Sequence, residues 1–95
     1  MTKAVFKFPV NDFDNYIKNY DIVKFLDIQY QDGIVCVWAV CNIGPTRQEK
    51  NYNVFKIGTG SSWSLEHWDE EHYIGTIQDG EYVWHYFWDE QREFI

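Results

Sequence analysis

Two stretches of this chain use the same device, and it limits what the remainder can become. Residues Phe25 to Val40 read FLDIQYQDGIVCVWAV, and residues Tyr73 to Trp88 read YIGTIQDGEYVWHYFW. In each, a β-rich run leads into Gln-Asp-Gly and a second β-rich run follows. Asp-Gly between alternating apolar residues signals a hairpin, because a type I′ turn needs positive φ at both central positions. Two-residue turns are therefore expected at Asp32-Gly33 and Asp79-Gly80. In the first hairpin this register sets Gln31 opposite Ile34, Tyr30 opposite Val35, Ile28 opposite Val37 and Leu26 opposite Ala39. One face then carries Leu26, Ile28, Tyr30, Val35, Val37 and Ala39, with no charge among them. The other face is mixed: Phe25, Asp27, Gln29, Cys36, Trp38 and Val40.

The second hairpin is apolar on both sides. One face groups Tyr73, Gly75, Ile77, Tyr82, Trp84 and Tyr86; the other holds His72, Ile74, Thr76, Gln78, Glu81, Val83, His85 and Phe87. A sheet face that a small protein does not cover itself meets a partner, a ligand or another copy of the chain. Aromatic residues are 20% of the 95-residue chain, more than one modest core consumes. Trp and Tyr join a large apolar area to a polar handle, which suits interfaces and stacking pockets. A homo-oligomer is expected on this ground.

The length suits a single domain spanning residues 1–95, with apolar content enough for a core without staples. A net charge of −7 argues against direct nucleic-acid binding, since phosphate contacts need clustered Lys and Arg. It leaves a basic protein surface as a partner, found by electrostatic steering. Cys36 and Cys41 lie an odd number of residues apart on one expected strand, so their side chains point to opposite faces and free thiols are expected. No apolar run approaches the ~20 residues of a membrane helix, and the start lacks a signal-peptide core, so a soluble cytoplasmic protein is expected.

In chain order, Ala4 to Val10 alternates as a strand, and Pro9 confines it to an edge or ends it. Asn11 to Tyr20 is ambiguous. Phe13, Tyr16, Ile17 and Tyr20 fall at helical spacing behind a capping Asp12, yet the helix propensity is weak, so helix and extended readings both stand. Asn42 to Asn51 is a polar loop around Gly44-Pro45. Tyr52 to Ile57 is a strand ending in Gly58-Thr59-Gly60. Ser61 to His72 is a loop or short helix, acidic and with two Trp, and Asp89 to Glu93 is a second acidic patch. The overall expectation is a mainly β fold: a small antiparallel sheet built on two Asp-Gly hairpins, with at most one short helix.

The order Phe6-Lys7-Phe8-Pro9, Trp38-Ala39, Gly58-Thr59-Gly60, Tyr73-Ile74-Gly75-Thr76 and Val83-Trp84-His85 resembles a family of small proteins of bacteriophages and prophage regions. The similarity runs over nearly the whole chain. That family carries no assigned activity, so the resemblance implies an origin, and with it the cytoplasm of a host cell, rather than a chemistry. Two features depart from the family pattern: Ser61 stands where a His usually follows Gly-Thr-Gly, and Ser62 to Glu71 looks like an insertion. Family members have a strand-like stretch at Asn11 to Tyr20, which tilts that segment towards extended.

Several constellations invite chemistry. Gly58-Thr59-Gly60 could turn backbone N–H groups towards an anion or a base edge, although a plain turn or bulge explains the glycines as well. No Gly-Lys-Ser/Thr follows, so it is not a P-loop. His67, Asp69, Glu70, Glu71 and His72 are metal-capable types, but their spacing fits no zinc template and a solvated acidic loop is the simpler reading. No acid–base pair or activated nucleophile stands out, so no enzyme, metal or cofactor is expected. Trp38, Tyr73, Trp84, Tyr82 and Tyr86 could form a stacking platform, since each stacked base contributes ~1–3 kcal/mol.

Three functions follow. The first is a non-enzymatic accessory protein that counters host defence by capturing a small nucleotide-like ligand, with Trp38, Gly58, Thr59, Gly60, Tyr73, Trp84 and His85 as the site. A polyphosphate ligand would have to lean on Lys56, Arg47 and Lys50. The second is an acidic inhibitor of a host effector, of the anti-CRISPR or anti-restriction kind, using Glu66, Asp69, Glu70, Glu71, Asp89 and Glu90. The third is a structural or assembly component of the virion.

Overall fold

The computed structural model describes residues 2–11, 14–62 and 70–91, giving the backbone alone for Asp14 and Glu70. The fold is mainly β. Six strands form one curled antiparallel sheet: β1 (Lys3–Pro9), β2 (Asp14–Gln31), β3 (Ile34–Asn42), β4 (Lys50–Gly58), β5 (Tyr73–Asp79) and β6 (Tyr82–Gln91). Their order across the sheet is β1-β3-β2-β4-β6-β5. A 3₁₀ turn at Glu70–His72 precedes β5.

The first half of the chain supplies the first three strands of that order and the second half the other three. Each half places its opening strand beside its last, with a hairpin behind it. The echo between the two Gln-Asp-Gly hairpins therefore extends to a third strand in each half.

From Asp14 the segment that reads ambiguously in sequence is extended, as the start of the 18-residue β2, and the expected capping Asp12 and Phe13 lie outside the described residues. Its helix-like spacing has a different cause. The β2–β3 pairing shifts between Ile22 and Lys24 and again between Phe25 and Asp27, and the β2–β4 pairing shifts between Ile17 and Tyr20. Each bulge inserts an extra residue and turns the following side chains to the other face. Core-facing residues thus recur as Ile17, Tyr20, Ile22, Phe25 and Ile28. At the first bulge Asn19 takes φ 66°, a left-handed conformation that Asn tolerates, and its N–H donates to Asn51 Oδ1 at 3.1 Å. β2 pairs with β4 before this region and with β3 after it, so one strand joins the two halves.

The first hairpin forms at Asp32-Gly33, with φ 52° and 78°, as a type I′ turn requires. The pairs Gln31–Ile34, Tyr30–Val35 and Ile28–Val37 match expectation, but the bulge sets Phe25, not Leu26, opposite Ala39. Leu26 is left 47% exposed while Phe25 packs on the core. The second turn lies one residue later than expected. Asp79 pairs with Tyr82, so the central residues are Gly80 and Glu81, and only Gly80 has positive φ, as in a type II′ turn. This moves each cross-strand partner by two places and leaves the faces unchanged from Gly75 onwards, while His72, Tyr73 and Ile74 change sides: Ile74 packs on the core and His72 stacks on Trp88. A bulge between Tyr73 and Gly75 sets Tyr73 opposite Phe87, on the face that also carries Thr76 and His85.

The concave side holds the core: Val10, Ile17, Ile28, Val35, Val37, Tyr52, Val54, Ile77 and Tyr86, with Trp84 and Trp88 packed against it. Much of the apparent aromatic surplus is spent here. Trp88 meets Phe25, Tyr52 and His72, and Phe6, Phe8 and Tyr20 close the other end. The curl brings β5 over β2 so closely that a Cβ on Gly75 would lie 2.6 Å from Ile28 Cγ2. Cys36 and Cys41 are free and buried, on opposite faces of β3. No helix among the described residues is long and apolar enough to cross a membrane.

Candidate functional site

β4 ends at Gly58, and the chain turns through Thr59 and Gly60 beside β6. Thr59 N–H donates to Val83 O at 3.1 Å and Ser61 N–H to Gly58 O at 3.1 Å, which locks the corner. Gly60 sits at φ 85°, where an L side chain is strained. Gly58 has a packing role: a Cβ there would touch Trp84 Cζ3 and Ser61 Oγ, both at 3.4 Å.

Strand alternation then sorts the neighbours. Trp84 faces the concave side, where Lys56 Nζ lies 4.3 Å from its ring centroid and the exposed Tyr82 stacks beside it at 6.1 Å. His85 and Phe87 face outwards. There the two imidazole nitrogens of His85 lie between two hydroxyls, Thr59 Oγ1 at 2.6 Å from Nε2 and Thr76 Oγ1 at 3.1 Å from Nδ1. Thr76 Oγ1 in turn bonds Tyr73 OH. Phe87 stacks on Phe55 at 5.9 Å and meets Tyr73 edge-on at 5.5 Å.

Two clefts share this corner. One, of 510 Å³, is lined by Gly58, Thr59, Ser61, Glu81, Tyr82, Val83 and Trp84. The other, of 290 Å³, opens on the outer side among Ile57, Thr59, Gly60, His85 and Phe87. The four-residue file Thr59–His85–Thr76–Tyr73 can pass a proton from end to end without building a charge, because every member both donates and accepts.

Of the residues expected to bind a ligand, Gly58, Thr59, Gly60, Tyr73, Trp84 and His85 gather at this end of the sheet. Trp38 does not join them. It lies on β3 between Lys7 and Asp27, on the face away from the core, and lines neither cleft. Sequence reading missed Thr76 and Phe87 as neighbours of the corner and named Tyr82 only as part of a stacking platform, where it does lie against Trp84. Strand alternation already placed Thr76 and Phe87 with His85, and was the available signal.

The acidic residues are less unified. Glu66 and Asp69 lie outside the described residues, as does the side chain of Glu70. Glu71 is exposed. Asp89 and Glu90 are successive on β6 and so point to opposite faces, and Glu90 pairs with Lys50 at 3.7 Å. Among the described residues no group of three or more His, Cys, Asp and Glu side chains could hold a metal ion.

Two phenols on the core side, Tyr52 and Tyr86, are pushed above their ordinary pKa chiefly by burial. Tyr52 OH also accepts the Ile22 N–H at 3.1 Å, which partly offsets that rise. Asp21, next to the Ile22 that bonds Tyr52, is held below the usual carboxylate value by the Gln48 N–H and the Asn42 side-chain amide, and it ties the 43–49 loop to β2.

No curated protein and no solved structure matches this chain. A family model does, over residues 1–94, nearly the whole length that carries the six strands and the corner, and the chain accordingly belongs to the DUF7352 family, a domain of unknown function.

Proposed function

We propose that this is a non-enzymatic accessory protein that captures a small nucleotide-like ligand at the Gly58–Ser61 corner. Its sequence resemblance to small bacteriophage proteins supports placing that capture in the cytoplasm of an infected host, where it withdraws a defence signal from its effector. The observation that carries the reading is the meeting of two clefts at one locked turn. The stacked Tyr82 and Trp84 rings stand on one side and the hydrogen-bonding Thr59–His85 pair on the other. Volumes of 510 and 290 Å³ reach into and just below the ~300–1,000 Å³ typical of small-molecule sites.

The test is a melting-shift screen of the whole chain against mononucleotides, cyclic nucleotides and short cyclic oligonucleotides. A ligand that raises the melting temperature should lose its effect in Trp84→Ala and in Thr59→Val, the second covering any loss of folding in the first. Charge reversal at Asp89 or Glu90 should leave the shift in place. A shift that survives both cleft variants but disappears on charge reversal sinks the reading in favour of an acidic surface that covers a host effector.

A further inference from the structure

The outer cleft carries information about the class of its ligand, an inference that rests on the corner being a ligand site at all. Among the described residues neither cleft is lined by Lys or Arg, and Glu81 lines the larger one. Among the described residues that line the outer cleft there is no Asp or Glu either. Lys56 lies over the Trp84 ring on the concave side. A phosphate-rich ligand in the outer cleft would meet no clustered cations, whereas phosphate recognition uses them.

The polar file supplies what an uncharged ring needs. In one direction Thr59 O–H donates to His85 Nε2, Nδ1–H donates to Thr76, Thr76 O–H donates to Tyr73, and Tyr73 O–H points to water. The Thr59 oxygen then has a lone pair for a donor on the ligand. In the other direction every bond reverses, Nε2–H donates to Thr59, and the Thr59 proton is available to an acceptor on the ligand. Within the protein the acceptor near that proton is the Val83 carbonyl, at 3.5 Å, and Thr59 is exposed to solvent or a ligand. Both directions keep all three bonds and neither creates charge. Tyr73, 48% exposed, keeps the far end wet, so the file is free to reverse.

We propose that the cleft among Ile57, Thr59, His85 and Phe87 binds a neutral planar ring bearing adjacent donor and acceptor groups, of the nucleobase class, as a base or nucleoside. Phe87 and Ile57 give the apolar contact, and Thr59 reads the polar edge through whichever His85 tautomer the ligand selects. Thr59 is the specificity-determining contact, and His85, Thr76 and Tyr73 are positioning residues.

The experiment is calorimetric titration of the full chain with the four common nucleosides, their 5′-monophosphates and inorganic phosphate, followed by ¹⁵N NMR of the His85 ring. At least one nucleoside should bind, and its monophosphate should bind about tenfold more weakly. Saturation should move the Nδ1 and Nε2 shifts towards a single tautomer. Thr59→Val should remove binding while Thr59→Ser keeps it. Monophosphates or phosphate binding more tightly than nucleosides would overturn this inference and leave the corner standing as a nucleotide site. Nucleoside binding unchanged in Thr59→Val would overturn it likewise. Failure of every nucleoside, nucleotide and cyclic oligonucleotide would remove both readings together.

Discussion

Gly75 shows how a single missing side chain sets the curl of the sheet. Its Cα hydrogen faces Ile28, and an added methyl would stand 2.6 Å from Ile28 Cγ2 and 3.9 Å from its Cβ. Gly75→Ala should therefore destabilise the protein by ~1–3 kcal/mol, the usual range for overpacking. Ile28→Ala alone removes a buried side chain at a cost of ~2–5 kcal/mol. It also removes the clashing Cγ2, so the double variant should be clearly more stable than the sum of the two losses. Denaturant melts of the four proteins measure that coupling directly. Titrating residues add a pH dependence at both ends. Asp21 has a depressed folded-state pKa, so its contribution is present above the ordinary value of 3.8 and is lost as pH falls through the lower folded value. Tyr52 and Tyr86 have raised values, so their contribution is complete below the ordinary value of 10.0 and is lost as pH rises beyond it. Melting temperature should fall at both extremes. Asp21→Asn should flatten only the acid limb, and Tyr86→Phe only the alkaline one.

At the scale of elements, the hairpins were legible and their fine register was not. Alternation and Asp-Gly identify both pairs of strands, and the first turn forms where the sequence places it. The second slides by one residue because a II′ turn with Gly first competes with an I′ turn with Gly second, and Gln78-Asp79-Gly80-Glu81 admits either. Gly80→Ala, at φ 60°, should cost about 1–2 kcal/mol, whereas Asp79→Ala, on a strand, should stay within about 0.5 kcal/mol. Similar losses from both substitutions in thermal melts would restore the I′ assignment. β2 was harder to read, since Val23 and Leu26 bulge outwards without a Gly or Pro to announce it, and a three-residue apolar rhythm resembles a helix. Within the candidate site, alternation alone placed Thr76 and Phe87 with His85. The distance of Trp38 from the corner follows from which strands pair, and a local pattern does not contain that.

For the molecule as a whole, the aromatic excess points less strongly outwards than composition implies. Tyr52 and Tyr86 are almost wholly buried, and Trp84 and Trp88 pack on the core. The rings left on the surface include Tyr16, Tyr30, Tyr73 and Tyr82, of which Tyr73 and Tyr82 border the corner.

The loop from Ile43 to Glu49 carries one further consequence. Every ladder except β2–β4 lies within one side or the other of that loop, so a break there severs no hairpin. Peptides covering residues 1–43 and 49–95 should assemble on mixing into the native sheet, with a melting temperature that rises with their concentration. Circular dichroism of each peptide alone and of the mixture would check this. The covalent tie would then serve chiefly to hold two complementary pieces at high effective concentration.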